Sequence, residues 1–474
     1  MPAAPRSPGA RAPKPRAGPP YVYHLLPGNE SSLVRECFER RPWWRPARAK
    51  SSDETERHHL WWGTNGQRFD WSSFPFPGLS PTSMCNRLPR NVEACTKTRL
   101  ALNLRAWASA NLPPSEPVFF PETFVVHARR RTPELEAFLA AARALDRDDV
   151  RPRHHATATW IVKPGASNRG RGIEVFARAS EVERHLSKQP YASSWIVQKY
   201  VDAPTLVHGR KFDIRQFAAV APDGSVWIYE DSYVRTCSAR YDAANLGSKA
   251  IHLTNDAVQK NLETYGEHED ANKLSFDEFQ RALDEDHAAG ALPRRVDFKR
   301  ETWPGIKLAT ARVFEATLGG MRREIRPGDA RGAAETRDRG ATFELFGLDF
   351  MLDAATRPVL IEVNTSPALF RHGKYLTEMM PRMMEALVRL TVDATFPPPP
   401  NAEPTDDGGV TPGTVGAWTK LDVAPAEFHP QDVDGAKWRG VATATRAVAR
   451  LGLKSASFGD GVGGGGVVRP RFRA

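Results

Sequence analysis

A chain of 474 residues with 41% hydrophobic, 26% charged and 9% aromatic residues has the make-up of an ordinary folded protein. At about 150 residues per domain it divides into two or three units, which excludes a single small domain and a fibrous or wholly disordered chain. Lys and Arg number 66 against 56 Asp and Glu, a formal net charge of +10. That excess permits an acidic partner without choosing among nucleic acid, anionic lipid and acidic polypeptide, and a bias toward Arg in an Ala-, Pro- and Gly-rich chain accounts for part of it. No run approaches the roughly 18 to 20 apolar residues that span a bilayer, and the opening MPAAPRSPGARAPKPRAGPP lacks a signal-peptide apolar region, so a cytosolic protein without a membrane partner is expected. Cys37, Cys85, Cys95 and Cys237 lie far apart, and His58-His59 and His154-His155 are adjacent pairs rather than pairs one helical turn apart. Neither a disulfide framework nor a zinc site follows.

Residues 1–20 are rich in Pro and Arg, and residues 397–474 carry PPPP and GGGG runs, so both read as flexible tails, the second with a short helical island at GVATATRAVARLGL. Residues 21–150 mix strand-like YVYHLL and PVFFPETFVV with helical SSLVRECFERR, TKTRLALNLRAWA and TPELEAFLAAARAL, which predicts a small N-terminal α/β domain. From residue 159 short strands come in series: TWIVKP, GIEVF, WIVQKYV, KFDIRQFAAV, VWIYEDSYVRT, FELFGLDFML and PVLIEVN. Helical ASEVERHLSK, TNDAVQKNLETY and WPGIKLATARVFEATL lie between them, which predicts mixed sheets with helices on their faces. The polar stretch 266–300 reads as an insertion. Domain boundaries are expected at 151–240 for a central unit and 241–396 for a C-terminal one.

KFDIRQF alternates strictly, so Lys211, Asp213 and Arg215 share one face and Phe212, Ile214 and Gln216 the other. Such a face is either a solvated ion-pair ladder or part of a site. Upstream, TWIVKPGASNRGRGI sets Lys163 at a strand end before a loop with Gly165, Gly170 and Gly172, whose backbone N–H groups can approach phosphate oxygens. The loop matches neither G-x-x-x-x-G-K-[ST] nor G-x-G-x-x-G and alone is as compatible with a plain glycine turn. A lysine beside a closable glycine loop is still what nucleoside triphosphate binding asks for. Downstream, two strands joined by DAATRP place Glu362 and Asn364 at i and i+2, facing Asp349 on the partner strand. Oxygen donors in otherwise apolar strands suit Mg²⁺ shared with phosphates, because such groups are costly to bury alone.

Taken in order, WIVKPGASNRGRGI, WIVQKYV, RKFDIRQF, YVRT, HLTNDAVQKN, FELFGLDFML and LIEVNTSPAL resemble the tubulin tyrosine ligase-like ligases of the ATP-grasp superfamily, over residues 97–390. The resemblance implies an α/β ATP-grasp fold whose central and C-terminal sheets enclose ATP. It implies Lys163 and Lys211 on the phosphates, the loop residues Arg169, Gly170, Arg171, Gly172 and Ile173 with the nucleotide, and Gln198, Lys199, Tyr200 and Val201 along the adenine. Asp213 and Asn255 would lie toward the ribose or phosphates, Asp349, Glu362 and Asn364 would hold Mg²⁺, and Arg215 and Arg235 would clamp phosphate and acyl-phosphate. Lys97 resembles a lysine near the acceptor. The KPGASNRGRGI run, YHLLPGNESSLVRECFERRPWW and Gln259 in HLTNDAVQKN look most like the glycine-adding branch. The implied protein is a monomeric ligase of microtubules, cilia or flagella that joins free glycine to tubulin or another acidic protein, with glutamate or tyrosine addition and non-catalytic microtubule binding as the alternatives.

Overall fold

The computed structural model describes residues 21–28, 31–48, 58–63, 79–147, 159–167, 170–322, 341–400, 410–411 and 414–424. The expected tail at 1–20 and the helical island after 440 lie outside these residues, as does Arg169. Three sheets form the frame, and strand directions are mixed between them rather than within them. In the N-terminal sheet Tyr21–Leu25 lies between Trp44–Pro46 and His58–Trp62, followed by Leu79–Cys85 and Ala341–Thr342, all parallel. The helix Ser31–Glu39 forms because Leu33, Val34, Cys37 and Phe38 recur on one face, and that face is buried.

The second sheet is antiparallel, in the order Thr123–His127, Ser194–Lys199, Trp160–Pro164, Glu174–Phe176. The boundary expected at residue 150 is therefore corrected. Thr123–His127 leaves the N-terminal sheet, and with the helix Pro133–Arg147 it shares a core with Trp160, Val162, Val182 and Trp195. A β-branched strand pairs wherever an edge accepts it, and local sequence does not say which edge.

The third sheet is built on Arg210–Val220, buried along its whole length. Glu344–Leu352 pairs with one edge, and Tyr233–Arg240 and Val226–Tyr229 share the other. Phe212, Ile214, Ala218 and Val220 face a core supplied by the helices Lys97–Asn111, Phe276–Ala288 and Trp303–Arg322. On the opposite side Phe217 and Ala219 meet Met379, Met380, Met383 and Met384 of the helix Lys374–Val388. The boundary expected at 240 cuts this sheet, because Lys273–Ser275, Glu344–Leu352 and Pro358–Thr365 all belong to it.

Two further expectations are corrected. The stretch 266–300 is not an insertion: Lys273–Ser275 pairs with Tyr233–Arg240, Ser275 caps the next helix by accepting from Glu278 N, and Phe276, Phe279 and Leu283 enter the core. Its polar residues are the outer face of an amphipathic helix. The tail expected from residue 397 also returns to the fold, since Trp418–Leu421 pairs with Val226–Tyr229 and Trp418 is fully buried, its Nε1 donating to Met383 O at 3.2 Å. Among the described residues no helix is long and apolar enough to cross a membrane.

Candidate nucleotide and phosphoryl-transfer site

A cleft of about 730 Å³ opens between the second and third sheets. Strand alternation decides what enters it. Ile161 and Lys163 come from Trp160–Pro164, Lys211 and Asp213 from Arg210–Val220, and Asp349 and Met351 from Glu344–Leu352. Each pair is two residues apart. Gln198, Lys199, Tyr200 and Val201 leave the second sheet along one wall, and Gly170, Ile173, Asn255, Lys97 and Glu362 complete the predicted set that lines the cleft. Arg171 and Gly172 are exposed and do not line it. Arg215, Arg235 and Asn364 lie one contact behind, against Asp213 and Asp349.

Lys163 and Lys211 are 3% and 4% exposed. Lys163 Nζ donates to Gln198 Oε1 at 2.8 Å, and Gln198 Nε2 donates to Thr123 Oγ1 at 2.9 Å, so the amide is fixed with its oxygen toward the lysine. Lys211 Nζ donates to Tyr200 OH at 2.6 Å and to His252 O at 3.1 Å. His252 Nε2 faces Asn245 O at 2.8 Å and must carry a proton, leaving Nδ1 to accept from Tyr200 OH at 2.8 Å. Among the described residues no carboxylate bonds either ammonium directly, and burial pushes both lysines down to about 8. A polyphosphate would supply the missing counter-charge.

At the other end four charges interlock. Arg215 Nε donates to Asp349 Oδ1 at 2.6 Å and Nη2 to Oδ2 at 3.2 Å. Arg235 Nε donates to Asp213 Oδ1 at 2.7 Å, its Nη2 to Asp213 Oδ2, and the same Nη2 reaches Asp349 Oδ2 at 2.8 Å. Sheet register does this, since Asp349 lies opposite Arg215 and Arg235 opposite Asp213. Burial would raise Asp349, but its two guanidinium partners outweigh burial and hold its carboxyl well below the usual range. At Asp213, burial outweighs the hydrogen bonds from Arg235 and Thr254 and raises it.

Asn364 Nδ2 donates to Asp349 Oδ2 at 3.3 Å and Glu362 Oε1 at 3.2 Å, and Lys97 Nζ lies 3.5 Å from Glu362 Oε2 while donating to Ser167 O at 2.9 Å. The three predicted side chains therefore gather, with Asn364 presenting its amide nitrogen to both carboxylates. Among the described residues no group of three or more His, Cys, Asp or Glu side chains gathers as a metal cage. Two carboxylates and an amide nevertheless fit Mg²⁺, which takes few protein ligands and fills its octahedron with phosphate oxygens and water.

The residue reading missed Pro121, Ile161, His252, Leu253, Thr254, Met351 and Ile361. Ile161 and Met351 were accessible by counting two residues from Lys163 and Asp349. Ile361 was not, because it enters through a register shift: Asp349 lies opposite Glu362 and Phe350 opposite Leu360, so consecutive residues face the cleft. Gln259 lies outside the cleft, fully buried, bonding Ser238 N, Ala250 O and Leu253 O. It pins the segment that brings Leu253 to Asn255 to the wall.

The sequence profile of the tubulin-tyrosine ligase family matches residues 79–403, well over half of the chain. Tubulin glycylase 3B of Tetrahymena thermophila is 29% identical over 264 residues, 54% of this chain and 20% of that protein. Mouse tubulin monoglycylase TTLL3 is 30% identical over 243 residues, covering 49% and 24% of the two chains. Human protein monoglycylase TTLL8 is 32% identical over 243 residues, covering 49% and 26%. This chain thus spans about a fifth to a quarter of those relatives' own length. The matched region contains every side chain that lines the cleft and the strands that carry them, and the chain belongs to the tubulin-tyrosine ligase family.

Proposed function

We propose that the chain is an ATP-dependent ligase that joins glycine to glutamate side chains, or to glycines already attached to them, in tubulin C-terminal tails or other acidic proteins of microtubules, cilia or flagella. The observation that carries this reading is one cleft with two buried lysines that, among the described residues, bond no carboxylate at one end, and at the other Asp213 and Asp349, interlocked with Arg215 and Arg235 behind them. Ile161, Val201, Leu253 and Met351 give the base apolar walls, and Lys163 and Lys211 neutralise the phosphates. Glu362 and Asn364, with Asp349, would hold Mg²⁺, which supplies charge to the phosphate oxygens when bound. Arg215 and Arg235, held by Asp349 and Asp213 just behind the cleft, would bring positive charge toward the transferred phosphoryl group once part of each fork turns from its carboxylate.

In the reaction, a carboxylate oxygen of the acceptor bonds to the γ-phosphorus and ADP leaves, giving an acyl-phosphate. The free amine of glycine then bonds to the acyl carbon, phosphate leaves, and the amine nitrogen gives up a proton as the amide forms. Holding three reactants in one cleft supplies the positional share of the acceleration. Two things support glycine over glutamate. The relatives named above are glycylases, and the buried cations beyond the phosphate end already face carboxylates: Arg215 and Arg235 as described, and Lys273 against Asp256 at 2.5 Å. A second carboxylate on the incoming amino acid would have to break one of these pairs.

The test is mass spectrometry of tubulin incubated with the protein, ATP, Mg²⁺ and equal glycine, glutamate and tyrosine. Glycine masses are expected, and their number per site separates initiation from elongation. Glutamate or tyrosine masses would overturn the choice of amino acid, and absence of ATP consumption would overturn the ligase reading in favour of a binding protein.

A further inference from the structure

We infer that a second cavity, at the outer end of the four-stranded sheet, docks an acidic polypeptide segment apart from the nucleotide cleft. The turn after Thr123–His127 carries Arg129, Arg130 and Arg131, and the helix Ala179–Ser187 sets Arg184 opposite them around a space of about 880 Å³. Arg129 has φ 57°, a left-handed turn that separates the neighbouring arginines instead of stacking them along a strand.

The arginines are held by contacts that leave their forks available. Arg129 Nε donates to Ser187 O at 3.0 Å. Arg130 Nε donates to Tyr191 OH at 3.3 Å, and its guanidinium carbon lies 5.3 Å from the centre of that ring. Among the described residues neither of these two, nor Arg184, meets a carboxylate; Arg131 alone does, at 3.0 Å from Glu136 and 3.4 Å from Glu183. Four guanidinium groups thus line a concavity with one lining acid, Glu183. Tyr191, 65% exposed, adds an aromatic platform at the rim.

Guanidinium forks bind carboxylates in bidentate fashion, and several of them around one open concavity suit side-chain carboxylates spaced along a peptide. Arg131, 3.0 Å from Glu136 and 3.4 Å from Glu183, already shows the kind of partner this place accepts, a glutamate carboxylate. The place of the cavity suits a tether. Thr123 pairs with Gln198 in the nucleotide cleft and His127 with Ser194 beside the arginines, four residues or about 13 Å along the same strand. A substrate held there keeps its free tail at high local concentration near the cleft. The inference rests on the proposed acidic protein substrate only for its biological role; the binding itself is independent of ligation.

The experiment uses the full chain without ATP and a fluorescent peptide of ten glutamates, read by anisotropy across a salt series. Arg130→Glu with Arg184→Glu should weaken binding about tenfold and flatten the salt dependence, and Arg130→Gln with Arg184→Gln should give an intermediate loss. Affinity for a fluorescent ATP analogue, which also reports folding, should not change. Peptide affinity unaltered in both variants overturns the inference. So does an oligothymidine of equal charge that binds more tightly than the peptide and suffers the larger loss. A chain without ligase activity would leave these readouts intact, so the two proposals fail separately.

Discussion

Replacing Asp349 by Asn separates structural from chemical roles in the charge cluster. Asp349 is 2% exposed and accepts from both Arg215 and Arg235, so the change leaves two buried guanidinium groups short of one negative charge. Removing one partner of a buried ion pair costs about 3–5 kcal/mol. Asp213 still holds Arg235 and the new amide still accepts one hydrogen bond, so the cost should sit near the lower figure. In a folded unit of this size about 3 kcal/mol corresponds to a Tm loss of roughly 6 °C. Glu362→Gln is the control, because the Glu362 side chain is 19% exposed and bonded only at 3.2 Å and 3.5 Å; it should move Tm by less than about 2 °C while abolishing ATP turnover. The assays are thermal unfolding by circular dichroism and ADP release. An Asp349→Asn protein that melts with the wild type would refute the coupling, and a Glu362→Gln protein with normal turnover would refute the ligand assignment.

Other outcomes follow from the same geometry. Burial brings Lys163 and Lys211 down to about 8, whereas bound phosphates favour the charged forms; ATP affinity should therefore be full below about pH 7, be down roughly fourfold at pH 8 and fall by roughly tenfold for each lysine by pH 9, measured by titration calorimetry. Lys211→Ala should flatten that profile. Trp418→Ala should destabilise by about 3–5 kcal/mol in denaturant unfolding, and a chain ended at Pro400 by at least as much, because either opens the core over Met383. Gly172→Ala should weaken ATP binding without shifting Tm by more than a few degrees: at φ +71° a new Cβ would stand 2.8 Å from Pro164 Cγ, one residue from Lys163.

What sequence made legible was whatever depends on period. KFDIRQF and FELFGLDFML each fix by alternation which side chains share a face, and Lys211, Asp213, Asp349 and Met351 from those faces meet in the cleft. The charged side of KFDIRQF is not a solvated ladder, because the same face turns apolar at Phe217 and Ala219 and is covered there by the helix Lys374–Val388. What sequence hid was whatever depends on partners distant along the chain. Thr123–His127 pairs with a strand about seventy residues on, and Trp418 emerges from a Pro- and Gly-rich stretch to fill a core position. The register shift that admits Ile361 changes no residue type. A phosphate end and an oxygen-donor end were each readable alone. Their meeting requires that Lys211 and Asp213 lie two residues apart on a strand whose neighbours bring Asp349 and Arg235 to it from opposite edges, so that one strand joins the buried lysine to the interlocked arginines and aspartates.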